Sequence, residues 1–224
     1  MATYKLNIAR VRGCPEPPQL AEALEAFGLP ENDAFGVLNH SLTPRAVFGT
    51  VVRKVQQAVQ RLDAEAREVT AASVEKVQVL PFAIRPDAEV LELYEGGASG
   101  IEQMGTFLSG SLGLPAVVEP IELDVPRALE KLMGMTERFQ LRSVRVSDYA
   151  HNSYMAGPYA PKFLDTEHGR EFLEEYAESV TAASVRFSAP AAMATANLSP
   201  KACFSFSCHE DDRSVVQSIL RKLV

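Results

Sequence analysis

Chemistry-bearing side chains are densest near the C-terminus, in Cys208-His209-Glu210-Asp211-Asp212. A thiol nucleophile needs a base within hydrogen-bond reach, and an imidazole beside carboxylates is a fragment of a metal site. The spacing argues against both. Neighbours in a strand point to opposite faces, and Cys208 shares its alternation with Phe204 and Phe206, so the thiol faces inward and His209 outward. No second ligand cluster accompanies His209. Acids ahead of an apolar helical stripe are what capping and the helix dipole call for. A hydrolase built on Cys208, His209 and Asp211 is therefore the last of three functional readings, and no catalytic residue, metal or cofactor is assigned.

Two other segments hold suggestive types. Gly96-Gly97-Ala98-Ser99-Gly100 follows a strand and precedes a helix, where free N–H groups can meet a phosphate. It lacks both the dinucleotide fingerprint and the Lys-Ser/Thr pair of a P-loop, so a turn that permits close helix packing is the simpler reading. His151-Asn152-Ser153-Tyr154 with Gly157-Pro158-Tyr159 is a polar, aromatic loop. With His40 and His168 it assembles no Ser/His/Asp pattern.

Charge is more informative. The formal net charge is −7, from 22 Lys+Arg against 29 Asp+Glu, which speaks against indiscriminate adhesion to polyanions. Along the chain, however, the charge separates. Arg45, Arg53, Lys54 and Arg61 occur with no acid between them, and residues 127–145 hold five bases, Arg138, Arg142 and Arg145 among them, against Glu130 and Glu137. Residues 87–102 carry five acids and no base, and residues 165–178 six acids against Arg170. If Arg45, Arg53 and Arg61 share one side of a helix they form a strip suited to phosphates. The alternatives are a solvated face, or self-association between complementary poles.

The elements that must position these charges are legible from periodicity. Residues 4–11 alternate as a strand, and Gln19–Phe27 puts Leu20, Ala23, Leu24 and Phe27 on one helical face. Thr43-Pro44 resembles an N-cap with proline at the first helical position. Val47, Phe48, Val51, Val55, Val59, Leu62 and Ala66 then follow helical spacing, although a valine-rich run with Gly49 suits a strand equally. Val77–Ile84 and Val90–Tyr94 flank Arg85-Pro86-Asp87-Ala88 as a hairpin. Helices over about 101–112, 125–133 and 165–178 alternate with strands over 116–123, 141–146 and 180–188. A hairpin of 191–198 with 202–208 precedes a last helix carrying Val215, Val216, Ile219, Leu220 and Leu223. The expected fold is α+β, with mixed, largely antiparallel sheets, packed helices and two subdomains, 1–147 and 148–224, divided at a polar stretch.

Composition is ordinary for a globular chain, 46% hydrophobic and 23% charged. Three cysteines without a CxxC pair predict no disulfide framework, and the absence of a leader-like or membrane-length apolar run predicts a cytoplasmic protein without membrane attachment.

The stretch Val90-Leu91-Glu92-Leu93-Tyr94-Glu95-Gly96-Gly97-Ala98-Ser99, its following helix, and Ser111-Leu112-Gly113-Leu114-Pro115-Ala116-Val117-Val118-Glu119-Pro120 resemble a segment of the recombination-associated RdgC proteins. RexA-like phage exclusion proteins are similar in strand and helix grammar. The likeness covers about residues 79–123. It implies a non-enzymatic, dimerising, sequence-independent binder of double-stranded DNA in phage- or recombination-related biology. On that expectation the phosphate contacts fall to Arg45, Arg53, Lys54 and Arg61, with Arg138, Arg142 and Arg145. The first alternative is a structural or protein-interaction subunit that self-assembles through charged faces.

Overall fold

The computed structural model describes residues 1–28, 35–63, 68–152 and 155–224. The elements run β1 (Ala2–Arg12), α1 (Pro17–Phe27), β2 (Phe35–Thr43), β3 (Ala46–Asp63), β4 (Glu68–Arg85), β5 (Val90–Leu93), α2 (Gly97–Thr106) and β6 (Val117–Pro120). After these come α3 (Val125–Met135), β7 (Phe139–Asn152), β8 (Met155–Tyr159), α4 (Thr166–Tyr176), β9 (Val180–Ser188), β10 (Met193–Leu198), β11 (Cys203–Cys208) and α5 (Arg213–Arg221). This is the α+β class that the patterning predicts, with antiparallel strand pairing. Contacts divide the chain into Met1–Arg10 with Glu119–Val224, the first unit, and Val11–Val118, the second. Position 147, the boundary expected from polarity, falls inside β7. The polar residues Ser147 and Asp148 there are exposed positions of a strand, and polarity alone does not distinguish an exposed strand from a linker.

In the first unit the strand order is β1-β11-β10-β9-β7-β8. Alternation sets the inner face: Phe204, Phe206 and Cys208 are buried, while Cys203, Ser205 and Ser207 between them are half-exposed. Leu6 opposes Phe204, and Val185 and Phe187 oppose Leu141 and Phe139. Leu129 and Leu132 of α3 and Val216 and Leu220 of α5 are also fully buried, at the helical spacing their sequences show. Each fully buried aliphatic or aromatic side chain stabilises by about 1.5–3 kcal/mol. Beside α4, Tyr149 of β7 and Tyr159 of β8 join Phe172 and Tyr176 in an aromatic cluster with centroids 4.4–6.3 Å apart.

In the second unit β2-β3-β4-β5 form an antiparallel meander. Val47, Val51, Leu80, Phe82, Ile84, Leu91 and Leu93 lie buried with Leu20 and Leu24 of α1 and Ile101 and Met104 of α2. Past α2 a π-helical turn, Phe107–Ser111, buries Phe107, whose ring meets Phe27 edge-on at 5.4 Å.

The helical reading of residues 44–66 is corrected here. Pro44-Arg45 is the two-residue turn of a hairpin, closed by the Thr43↔Ala46 pair and by the Thr43 hydroxyl donating to the Ala46 carbonyl at 3.0 Å. Proline pre-sets φ for a turn as well as for a helix start, and the β-branched run that follows loses less in a strand. Residues 64–67, Ala66 among them, lie outside the described residues.

Candidate functional site

The change from helix to strand rearranges the basic residues. Eight residues span about 12 Å in a helix but about 26 Å in a strand, so Arg45, Arg53 and Arg61 are spread along β3 and its turn. Arg45 is exposed in the turn. Arg53 stands opposite Phe35 with its guanidinium carbon 5.1 Å from the ring centroid, and its Nε is buried without a hydrogen-bond partner. Lys54 points to the other face, where its Nζ lies 3.5 Å from a Glu75 carboxylate oxygen. Arg61 pairs through its backbone with Thr70, and its side chain is outside what is described. These four residues therefore do not gather into one strip. One is engaged by an acid and one by an aromatic ring.

Arg138, Arg142 and Arg145 belong to the first unit. All three are exposed, and Arg142 and Arg145 share a face although their separation is odd. The cause is a bulge: the register steps from Leu141↔Val185 to Ser143↔Ser184, leaving Arg142 as the extra residue. Among the described residues none of the three joins an ion pair.

Cys208 is fully buried, as its alternation predicts. Burial, with the charge of Asp212 nearby, holds its thiol above the usual range. His209 faces out, and its Nδ1 lies 3.2 Å from an Asp211 carboxylate oxygen. Thiol and imidazole thus stand on opposite sides of the strand end. Cys14 is likewise pushed up by burial, to about 11. Among the described residues no group of three or more His, Cys, Asp or Glu is placed to hold a metal ion.

The glycines ahead of α2 serve the backbone. Gly96 has φ +87°, and a Cβ there would stand 2.6 Å from Leu80 Cδ2. The Ser99 hydroxyl and the Gly100 N–H both donate to the Gly96 carbonyl, which closes the turn on itself. The loop expected at 151–154 is in part the end of β7, through Asn152, and Ser153 and Tyr154 lie outside the described residues.

Two buried polar arrangements had no linear signal, whereas the Asp165 cap of α4 is one that the sequence offers. Asp212 is 2% exposed and accepts from the Ala191 N–H at 2.9 and 3.2 Å and from the Ala192 N–H at 3.1 Å. Glu92, 1% exposed, takes Arg85 Nη1 on one oxygen and the Tyr94 hydroxyl on the other at 3.0 Å. On α4 the Asp165 carboxylate caps the His168 N–H at 3.0 Å and meets His168 Nδ1 at 2.8 Å. A cleft of about 350 Å³ in the first unit has Arg10, Arg127 and Lys131 on its walls, but Glu122 and Asp124 line it too.

The surface with least structural explanation is the far half of the β3–β4 hairpin. From Lys54↔Val77 to Asp63↔Glu68 ten consecutive pairs form a two-stranded ribbon about 30 Å long at ~3.3 Å per residue. Among the described residues the pairing of β2 with β3 reaches only Arg53, and that of β5 with β4 begins at Phe82. Val69, Val74 and Val77 on the ribbon are 61%, 49% and 52% exposed, and Val79 just before it 43%. No protein-family model matches this chain, and no curated protein matches it.

Proposed function

We propose that this chain is a non-enzymatic binding protein, a protein-interaction subunit whose working surface is the β3–β4 ribbon. The observation that carries the reading is the set of uncovered valines, Val69, Val74, Val77 and Val79, on β4, whose outer edge beside them holds no neighbouring strand among the described residues. Exposed apolar side chains scattered singly need no explanation, but Val69, Val77 and Val79 recur on one face of β4, with Val74 on the other, beside an edge that is open among the described residues, which is a surface of the kind that partners cover. Lys54 and Glu75 pair with each other on this ribbon, at 3.5 Å.

A photoreactive residue in place of Val74 or Val77 tests the reading in cells expressing the full chain. The 95% exposed Leu164 in the first unit serves as the control position. Protein adducts at the ribbon and none at the control are expected. No protein adduct at either ribbon position overturns the proposal.

A second reading, double-stranded DNA binding, is favoured by the bulge that turns Arg142 and Arg145 to one face and by the resemblance of residues 79–123 to the RdgC proteins. In this form of the reading Arg138, Arg142 and Arg145 neutralise phosphates without reading bases. Three such contacts give a slope of log affinity against log salt of about −2.7. Replacing all three with glutamine flattens the slope if the reading holds. Absence of duplex binding in low-salt buffer removes it.

A further inference from the structure

The ribbon's two outer edges are not equivalent, and the difference points to what covers one of them. Edge strands are ordinarily protected by proline, by bulges or by several lysines. Between Val69 and Val77 the outer edge of β4 has no proline, no register shift against β3, and Lys76 as its one base. On that side the first main-chain contact is at the Pro81 carbonyl, which accepts from the Tyr94 N–H at 3.0 Å.

The segment is also symmetric about its middle. Val69 and Val77 lie four residues either side of Ser73, and Ala71, Ala72 and Ser73 between them are small. Antiparallel pairing of this edge with itself about Ser73 sets Val69 opposite Val77 and Ala72 opposite Val74. Because opposed residues then have the same parity, apolar faces meet apolar faces. Glu75 falls opposite Ala71 and Lys76 opposite position 70, a threonine, so no like charges are opposed. The β3 edge lacks this property: the register that matches its Val55 to Val59 places Arg53 opposite position 61, another arginine.

We infer that β4 of one chain adds antiparallel to β4 of a second copy, with a twofold axis at Ser73. The inference rests on the reading of the ribbon as a protein-binding surface and names its occupant. Pairing over Val69–Val77 forms about eight to ten main-chain hydrogen bonds and closes the open β4 edge on both copies. Such an interface, nine residues a side, is smaller than the roughly 20–30 residues a side of stable complexes, so dimers are expected at about micromolar or higher protein concentration.

The test is sedimentation of the full chain across a concentration series, with variants that read the register. Val69 and Val77 are both more than half exposed, Val77→Lys faces Lys54 across the hairpin in both variants so that the two differ only at position 69, and circular dichroism checks that the fold is kept. The double variant Val69→Lys/Val77→Lys sets lysine against lysine at two symmetric places and weakens self-association by about tenfold or more. The variant Val69→Glu/Val77→Lys places opposite charges at the same two places and restores it to within about threefold of the parent. A parent chain that stays monomeric throughout the series, or a Lys/Lys variant that associates as the parent does, overturns the inference. Loss in Lys/Lys without recovery in Glu/Lys overturns it too, while the ribbon remains a protein-binding surface. Photo-adducts with other proteins from a monomeric chain separate the failure of the inference from failure of the functional reading.

Discussion

Asp212 is a buried carboxylate whose oxygens take two consecutive backbone N–H groups, those of Ala191 and Ala192, at 2.9–3.2 Å. It ties the bend between β9 and β10 to the start of α5, elements twenty residues apart in sequence. A hydrogen bond to a charged acceptor contributes about 1.5–3 kcal/mol net, and a buried donor left unpaired costs about 1–3 kcal/mol. Asp212→Ala strips both amides of their acceptor at once, so the expected loss is about 3–5 kcal/mol. Asp212→Asn keeps one oxygen and sets an amide N–H₂ against a main-chain donor, for a loss of about 1–3 kcal/mol. Asp211, exposed and paired with His209, is the control, and Asp211→Asn should fall within about 0.5 kcal/mol of the parent. Urea unfolding followed by far-ultraviolet circular dichroism measures the global loss. Amide hydrogen exchange at Ala191 and Ala192 reads the site directly: both should be protected in the parent and open in Asp212→Ala. An Asp212→Ala chain within about 1 kcal/mol of the parent would refute the reasoning, because hydrogen bonds from two amides to one buried carboxylate are lost together.

Titration of α4 gives a second check. The hydrogen bond that the imidazole donates to Asp165, then the charge of Asp165, raises His168 above 6.5, and the His168 N–H and imidazole lower Asp165. The histidine's contribution to helix stability is full below its unfolded value and is lost as pH rises through the folded one. The aspartate's is present above its unfolded value and is lost as pH falls through the folded one. NMR should place the His168 midpoint above that of an ordinary histidine, and Asp165→Asn should bring it down; no movement in Asp165→Asn would refute the pairing. The thiols supply a third: Cys14, with its value near 11 against an ordinary 9.0, should be about a hundredfold poorer in thiolate than a free cysteine. Cys208, inaccessible, should react with a thiol reagent only after unfolding, and rapid labelling of native Cys208 would contradict its burial.

How much of this was readable from the chain depends on whether one residue's neighbours decide its state. Val180 through Cys208 could be placed closely because each strand is buried on one face, and period-two alternation then has one interpretation. Val125–Met135 and Arg213–Arg221 were equally plain, since their apolar residues recur at helical spacing with no competing pattern. Residues 47–59 were ambiguous for a physical reason. Val47, Val51, Val55 and Val59 recur every four residues, which is a helical stripe and equally every second inward position of a strand. Proline after threonine fits both starts. On a helix Arg45, Arg53 and Arg61 would form a compact strip, and on β3 and its turn they are spread apart. In β7 the opposite happened: the bulge at Arg142 brings Arg142 and Arg145 to one side, which no fixed period anticipates. Asp212 and Glu92 were invisible as buried acceptors because their partners are distant main-chain N–H groups in one case and a neighbouring strand's arginine in the other.

The ribbon has one more consequence. Its ten pairs sit beyond the buried rows of Val47, Val51, Leu80 and Phe82, so each pair is held by main-chain bonds and cross-strand contacts worth about 0.2–1 kcal/mol. In an isolated chain it should fray from the tip inward in small steps, far below the free energy needed to open the body of the unit. Opening one pair exposes no core. Evolution can therefore lengthen or shorten this arm two residues at a time, one from each strand, changing its reach and its surface while the packed half of the hairpin stays as it is.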